Sequence, residues 1–332
     1  MLSFKRMENK KMNIGIIGTG AYAISLSSLF ENTKCNIMMW TKIESEYIEL
    51  SNNYTNLIII NYKLNKKIKF TMSLEELVNH SDLLVLAIPA KFIASTISDL
   101  KIYYKNQEIL IATKGMIESE NCLINEYLEK TLKANKISCI SGPSFAIDII
   151  KKEPIGLTLS SSNKNSLNYV KKILQDISYL TIDETNDIIG TEICGLLKNI
   201  MAIGSGILHG MNINPSTICK FLKDASLEMQ TIITNLGGYK ETFLTYAGIG
   251  DYILTATSKN SRNYTFGFLI GSNDDFTSYM KNTTIEGLEN LDGMYLMLKT
   301  KNIESKIINI LYEIIYLKED KNLLLNYLKN KE

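Results

Sequence analysis

Residues 13–23 read NIGIIGTGAYA, and the organisation of the chain follows from this stretch. Residues 13–18 form a β-branched run ending on glycine, which predicts a short buried strand, and the residues after Gly20 pass into a helical pattern over Ala23–Phe30. Cys35–Trp40 supplies a second apolar strand, so strand, glycine turn, helix and strand follow one another at the length of a βαβ unit. Gly18-x-Gly20-x-x-Ala23 fits the G-x-G-x-x-G/A pattern of dinucleotide sites. There the first glycine permits the tight turn, the second lets the backbone approach a pyrophosphate, and the third small residue lets the helix pack on the strand. The helix N-terminus then faces the anion with free N–H groups. A purely structural turn is the competing reading, but the flanking strand and helix favour the nucleotide. Ala21 and Tyr22 lie inside the motif, and Tyr22 either covers a nicotinamide or fills a groove beside it.

Outward from this unit, Leu83–Ile88, Glu108–Ala112 and Lys136–Ile140 read as further strands separated by helix-length segments. Such alternation predicts an α/β fold, a Rossmann-like and mainly parallel sheet with helices on both faces. After about Thr185 the apolar spacing becomes helical, with helices expected over Glu192–Leu208, Pro215–Leu236, Ile285–Thr300 and Ile303–Leu317. The expected organisation is a short basic leader over residues 1–11, a dinucleotide-binding domain over 12–187 and an all-helical substrate and catalytic domain over 188–330. The start codon is open among Met1, Met7 and Met12.

Composition narrows the function classes. The 332 residues carry 36 Lys+Arg against 35 Asp+Glu, a net charge of +1, which argues against a surface built for nucleic acid or anionic lipid. Hydrophobic residues at 45% and only 4 Pro supply a packed core rather than a disordered chain. No uninterrupted apolar run reaches the roughly 18 residues of a bilayer span, and Gly195–Leu208 is broken by Lys198 and Asn199, so no stable membrane insertion is expected. Five cysteines without a C-x-x-C pair suggest reduced thiols in the cytoplasm, and His80 and His209 are too few and too far apart for a metal site.

Several segments carry chemistry. An acidic residue at the end of the second strand would hold the ribose 2′-OH of NAD. That place reads Trp40-Thr41-Lys42-Ile43-Glu44, where Lys42 either attracts the 2′-phosphate of NADP or stands solvated, so NAD and NADP both stay open. On the Glu192–Leu208 helix, Lys198 shares a face with Thr191, Gly195, Ala202 and Ser205. This small-residue stripe either seats another helix or leaves room for a ligand beside the ammonium. Burial there would lower the lysine pKa toward what a general base needs; a surface lysine is the plainer reading. Gly248-Ile-Gly250-Asp251 and Ser258–Asn263 gather glycines, hydroxyls and cations in an expected non-helical stretch, where Arg262 offers a planar fork for phosphate. Asp251 has no cation beside it in sequence, and its charge is expected to meet one from elsewhere. Thr113-Lys114-Gly115 and Ser141–Ala146 follow buried strands, at the strand ends where open α/β sheets bind ligands.

Taken in order, GTGAYA (18–23), TKG (113–115), SGPSFA (141–146), EICGLLKNIMAIGSGI (192–207), GIGDYILTATSKNSRNYTFG (248–267) and IEG (285–287) resemble the NAD(P)-dependent glycerol-3-phosphate dehydrogenase family over nearly the whole chain. The resemblance implies reversible hydride transfer between sn-glycerol 3-phosphate and dihydroxyacetone phosphate, supplying glycerophospholipid synthesis in the cytoplasm. It implies Lys198 as the proton carrier, and Lys114, Gly142, Ser144, Asp251, Ser261, Arg262 and Asn263 around the substrate. Gly18, Gly20, Ala21, Tyr22, Ala23, Lys42, Lys114, Ala146, Arg262 and Glu286 would meet the cofactor. The expected partners are the small-molecule substrate and, by family habit, a second copy of the chain, with no nucleic acid. The chain departs from the family in Ala21-Tyr22, where Ser-Trp or Ser-Phe is common and one possible hydroxyl contact to the cofactor is lost, in Lys42-Ile43, where a basic pair is common, and in Asp224, where an arginine is common. A β-hydroxyacid dehydrogenase, which would need a carboxylate site in place of Ser261-Arg262-Asn263, and a non-catalytic dinucleotide sensor are the alternatives.

Overall fold

The computed structural model describes residues 11–56, 58–59 and 62–329. Most of the expected leader, and residue 330 at the end of the expected second domain, lie outside the described residues. The chain divides into two compact units. The first gathers the residues up to Thr113 with Asn125–Ile140 and Ser144–Asn186; the second gathers Lys114–Ile124, Ser141–Pro143 and the chain from Asp187 onward.

The first unit is built on a sheet of eight strands: β1 (Asn13–Ile17), β2 (Asn36–Trp40), β3 (Lys69–Thr71), β4 (Leu83–Leu86), β5 (Glu108–Ile111), β8 (Ile137–Ser141), β9 (Ile155–Ser160) and β10 (Leu180–Thr185). Their spatial order is β10-β9-β8-β5-β4-β1-β2-β3. β1 pairs with β2 and β4, β2 with β3, β4 with β5, β5 with β8, and β9 with β10, all in parallel. The sequence pattern anticipates the mainly parallel sheet but not β3, β9 or β10. β3 has only three residues, and β10 reads LTIDET with no buried position, so neither carries a clear apolar signature. Ile14, Ile16, Leu26, Phe30, Leu83, Leu110 and Leu157 belong to the core of this unit.

The strand order reverses between β1 and β4, and the turn after β1 therefore leaves the sheet at a topological switch point, where open α/β sheets take ligands. Gly18 adopts φ +124°, and a Cβ there would lie 2.4 Å from the Ala87 carbonyl oxygen, so only glycine fits. Gly20 caps the helix Ala21–Glu31, and a Cβ there would meet nothing within 4 Å. The helix start thus opens onto free space, as close approach of a pyrophosphate requires.

From Asp187 onward the second unit is helical, and it also takes in the antiparallel hairpin of β6 (Met116–Ile117) and β7 (Cys122–Leu123). Its axis is the 23-residue helix Ile188–Gly210, almost wholly buried. Among the described residues this one helix is long and apolar enough to cross a membrane, where the sequence suggested none. Its burial inside the unit identifies it as a core helix instead. It packs on the helix Arg262–Ser272 through backbone contact. A Cβ on Gly206 would come within 2.1 Å of the Tyr264 carbonyl oxygen, and one on Gly267 within 2.1 Å of the Ile203 carbonyl oxygen. The glycines that seat one helix on the other are therefore Gly206 and Gly267, beyond the stripe that carries Lys198.

Candidate active site

Three charged groups far apart in sequence meet inside the second unit. Lys114 follows β5, Lys198 lies on the Ile188–Gly210 helix, and Asp251 opens the helix Asp251–Thr257. Asp251 is 1% exposed and Lys198 8%. The Lys114 Nζ donates to Asp251 Oδ2 at 2.5 Å and the Lys198 Nζ donates to Asp251 Oδ1 at 2.8 Å. Lys198 also donates to the Thr255 hydroxyl at 2.9 Å, and that hydroxyl donates back to the Asp251 carbonyl at 2.7 Å. Two of the three ammonium N–H bonds of Lys198 are committed in this way.

The helix that carries Asp251 corrects the sequence expectation of a non-helical stretch. Tyr246–Gly250 makes a turn of π-helix that leads directly into Asp251–Thr257, and Arg262 begins another helix after a Ser261 cap. Gly248 allows the tight turn, since a Cβ there would lie 2.2 Å from the Phe243 carbonyl oxygen. The glycines that resemble loop punctuation are packing residues of a tightly wound segment.

The three charges sum to +1 in a place that water barely reaches, and each group answers to that. Burial pushes the Lys198 pKa down to about 8 from 10.5, with the repulsion of Lys114 adding to it and the Asp251 carboxylate opposing it. Burial pushes the Asp251 carboxyl upward, but Lys114 and Lys198 together outweigh it and hold the group below its ordinary value. Asp251 therefore stays ionised while Lys198 titrates near neutrality.

A second cluster surrounds Arg262. Its guanidinium reaches Glu286 Oε1 at 3.4 Å, a half-exposed pair. The Asn199 amide donates to Glu286 Oε2 at 3.3 Å, the Asn263 amide donates to Asn199 Oδ1 at 2.9 Å, and the Gly287 N–H donates to Asn263 Oδ1 at 2.8 Å. Asn263 is buried and uses both ends of its amide inside the protein, which sets the start of the helix Glu286–Thr300. Ser261 is buried as well and accepts from the Tyr264 N–H at 3.3 Å, capping the helix that begins with Arg262. Asn199 and Thr255 hold these clusters together without having been singled out in the sequence. Thr255 sits four residues after Asp251 on the same helix, a spacing that gives the signal in retrospect, whereas Asn199, adjacent to Lys198, faces a different cluster and carries no such signal.

The remaining site residues fall as follows. Gly142 belongs to the second unit and adopts φ +156°. Ser144 belongs to the first unit, and Ala146 opens its short helix Ala146–Ile150. Ala21, Tyr22 and Ala23 form the first turn of the helix after Gly20, with Ala23 fully buried. Lys42 stands exposed after β2. Among the described residues no group of three or more His, Cys, Asp or Glu could hold a metal ion.

Residues 13–167 match the family model of the NAD-dependent glycerol-3-phosphate dehydrogenase N-terminus, and residues 187–326 match that of its C-terminus. A relative from Fusobacterium nucleatum, named glycerol-3-phosphate dehydrogenase [NAD(P)+], is 31% identical over 317 residues, 94% of each chain. One of the same name from Mesoplasma florum is 30% identical over 314 residues, 92% of this chain and 94% of the relative. A glycerol-3-phosphate dehydrogenase structure from Coxiella burnetii superposes with a TM-score of 0.91 at 24% identity, covering 96% of this chain and 99% of the other.

Proposed function

The chain belongs to the NAD-dependent glycerol-3-phosphate dehydrogenase family, and on that footing we propose that Lys198 carries the proton in its reaction while Asp251, Lys114 and Thr255 set the charge and aim of that lysine. The protein is an NAD(P)-dependent oxidoreductase that interconverts dihydroxyacetone phosphate and sn-glycerol 3-phosphate. NAD(P)H, when bound, supplies the hydride that reduces the C2 carbonyl. The carbonyl oxygen gains negative charge as this happens, and the Lys198 ammonium, with an N–H left after Asp251 and Thr255, both stabilises that charge and donates the proton. In the oxidative direction the neutral amine accepts the proton of the C2 hydroxyl. A pKa of about 8 keeps both forms accessible near neutrality. General acid–base catalysis of this kind contributes about 10²–10⁴-fold.

The first-unit residues fit a dinucleotide at the glycine turn: Gly18 makes the turn, Gly20 leaves space for the pyrophosphate, and the helix from Ala21 presents its free N–H groups. Arg262, half-exposed at a helix start, is the proposed clamp for the substrate phosphate, binding energy that orients the reacting carbon. Gly142, Ser144 and Asn263 are proposed around the substrate, with Tyr22, Ala23, Ala146 and Glu286 toward the cofactor. We further propose that the product feeds glycerophospholipid synthesis in the cytoplasm and that the chain works as a homodimer, both on the habit of the family.

The observation that carries the reading is the convergence of two lysines, distant in sequence, on one buried aspartate. The test follows NAD(P)H absorbance with dihydroxyacetone phosphate, using small hydroxyacids as controls. Turnover is expected only with the phosphorylated substrate. Lys198→Ala should abolish it while NADH still quenches protein fluorescence as in the wild type, and near-normal turnover in that variant removes Lys198 from the role.

A further inference from the structure

We propose that Glu46 selects the dinucleotide and that it favours NAD over NADP. The proposal deepens the dehydrogenase reading and rests on it. In dinucleotide folds a carboxylate at the end of the second strand accepts from the ribose hydroxyls, whereas a cation there receives a 2′-phosphate. Read linearly, the end of β2 offers only Lys42 close at hand, with Glu44 two residues on. The folded chain supplies a different group.

The helix Glu44–Asn53 begins directly after Ile43, and its first turn brings the Glu46 side chain back to the strand end. Glu46 Oε2 accepts from the Thr41 hydroxyl at 2.8 Å and also from the Thr19 hydroxyl. Thr41 is the residue after β2, and Thr19 stands between the two glycines of the fingerprint. Gly18 N–H donates to the Trp40 carbonyl at 2.9 Å, which holds the fingerprint turn against the end of β2. The carboxylate therefore bridges the pyrophosphate loop and the strand end, the place from which a ribose diol is read.

Its setting is fixed on both sides. The Ile43 N–H donates to the Thr41 hydroxyl at 3.1 Å, and the Asn56 amide donates to the Thr19 carbonyl at 2.8 Å. Both threonine hydroxyls donate to Oε2, so among the described residues Oε1 is left as the acceptor for a ribose hydroxyl. A 2′-phosphate brought to the same place would set like charges together. The same first helical turn also holds Glu44, against the single cation Lys42 just before it. Lys42 is exposed, where water and salt screen its attraction.

Equilibrium binding tests this without turnover. The full-length protein is titrated with NADH and with NADPH in the absence of triose phosphate, following protein fluorescence, for the wild type and Glu46→Gln. The wild type is expected to bind NADH at least about tenfold more tightly, and Glu46→Gln, which keeps the size and one acceptor, to reduce that preference by about tenfold or more, mainly by tightening NADPH. A second measurement needs no variant: 5′-AMP should displace NADH from the wild type at lower concentration than adenosine 2′,5′-bisphosphate does. Equal or inverted preference in the wild type, easier displacement by the bisphosphate, or an unchanged preference in a Glu46→Gln protein that still binds NADH each overturns the role of Glu46 and leaves the dehydrogenase reading standing. A wild-type protein that binds neither nucleotide overturns both.

Discussion

Asp251→Asn isolates the charge between the two lysines while nearly preserving shape. It removes an anion 2.8 Å from the Lys198 Nζ and 2.5 Å from the Lys114 Nζ. At an effective dielectric of about 20, the attraction across the Lys198 contact is about 6 kcal/mol before desolvation is counted, so its loss outweighs any change in packing. A buried ammonium and a half-buried one then lie together without a counter-charge, and releasing a proton is the cheapest relief. Lys198, already lowered to about 8 by burial, should lose its proton below neutral pH. In the role proposed for Lys198 reduction needs the ammonium, so its rate at neutral pH should fall by about 100-fold and recover on acidification, with the descending limb displaced from about 8 to below neutrality. Oxidation of glycerol 3-phosphate needs the neutral amine and should suffer much less. The folded state should lose about 3–5 kcal/mol, as when one partner of a buried pair is removed, and urea unfolding measures this so that rates are taken on folded protein. Steady-state rates in both directions from acid to alkaline pH decide the matter. A reductive limb still near 8, or equal losses in both directions, refutes the coupling of Lys198 to Asp251.

The wild-type lysine makes a related stability prediction: because the unfolded chain takes up its proton at about 10.5 and the folded one at about 8, the unfolding free energy should rise with pH between those values as far as Lys198 contributes, which urea titrations of wild type and Lys198→Met can compare. Arg262→Ala should raise the KM for dihydroxyacetone phosphate by about tenfold or more and that for NADH far less; an unchanged substrate KM takes Arg262 out of the phosphate site. Gly206→Ala would drive a Cβ to within 2.1 Å of the Tyr264 carbonyl oxygen and should cost about 3 kcal/mol, read as a lower Tm. Glu228 accepts from the Ile307 and Ile308 N–H groups at 3.0 and 3.2 Å at the start of the helix Lys306–Tyr316. Glu228→Ala should therefore lower the unfolding free energy by about 1–2 kcal/mol with kcat unchanged.

Much of this architecture is legible without coordinates because its signals are local. The β-branched run before Gly18, the spacing to Ala23 and the long helical period around Lys198 are each properties of a dozen residues, and each sits in the expected element. The π-turn before Asp251 is hidden because glycine signals both loops and close packing, and only the nearby Phe243 carbonyl tells which applies at Gly248. Glu46 is hidden for a different reason. A helix turn carries its carboxylate back to a strand end that the linear sequence associates with Lys42. The need of Asp251 for a cation from elsewhere can be inferred from the sequence, but the choice of Lys114 and Lys198 is a long-range contact that no local pattern encodes.

The glycine seam between the helices Ile188–Gly210 and Arg262–Ser272 has a consequence for how this enzyme can change. Lys198 lies on one helix and Arg262 begins the other, and the two are joined main chain to main chain at Gly206 and Gly267. Peptide groups set the spacing at that junction, so the interval between the proposed proton carrier and the proposed phosphate clamp behaves as a gauge cut into the backbone. A substrate one carbon longer or shorter would have to be met by exchanging residues at the ends of the gauge, since sliding one helix along the other would collide with peptide carbonyls. Drift in the apolar core can then alter stability while leaving substrate length untouched.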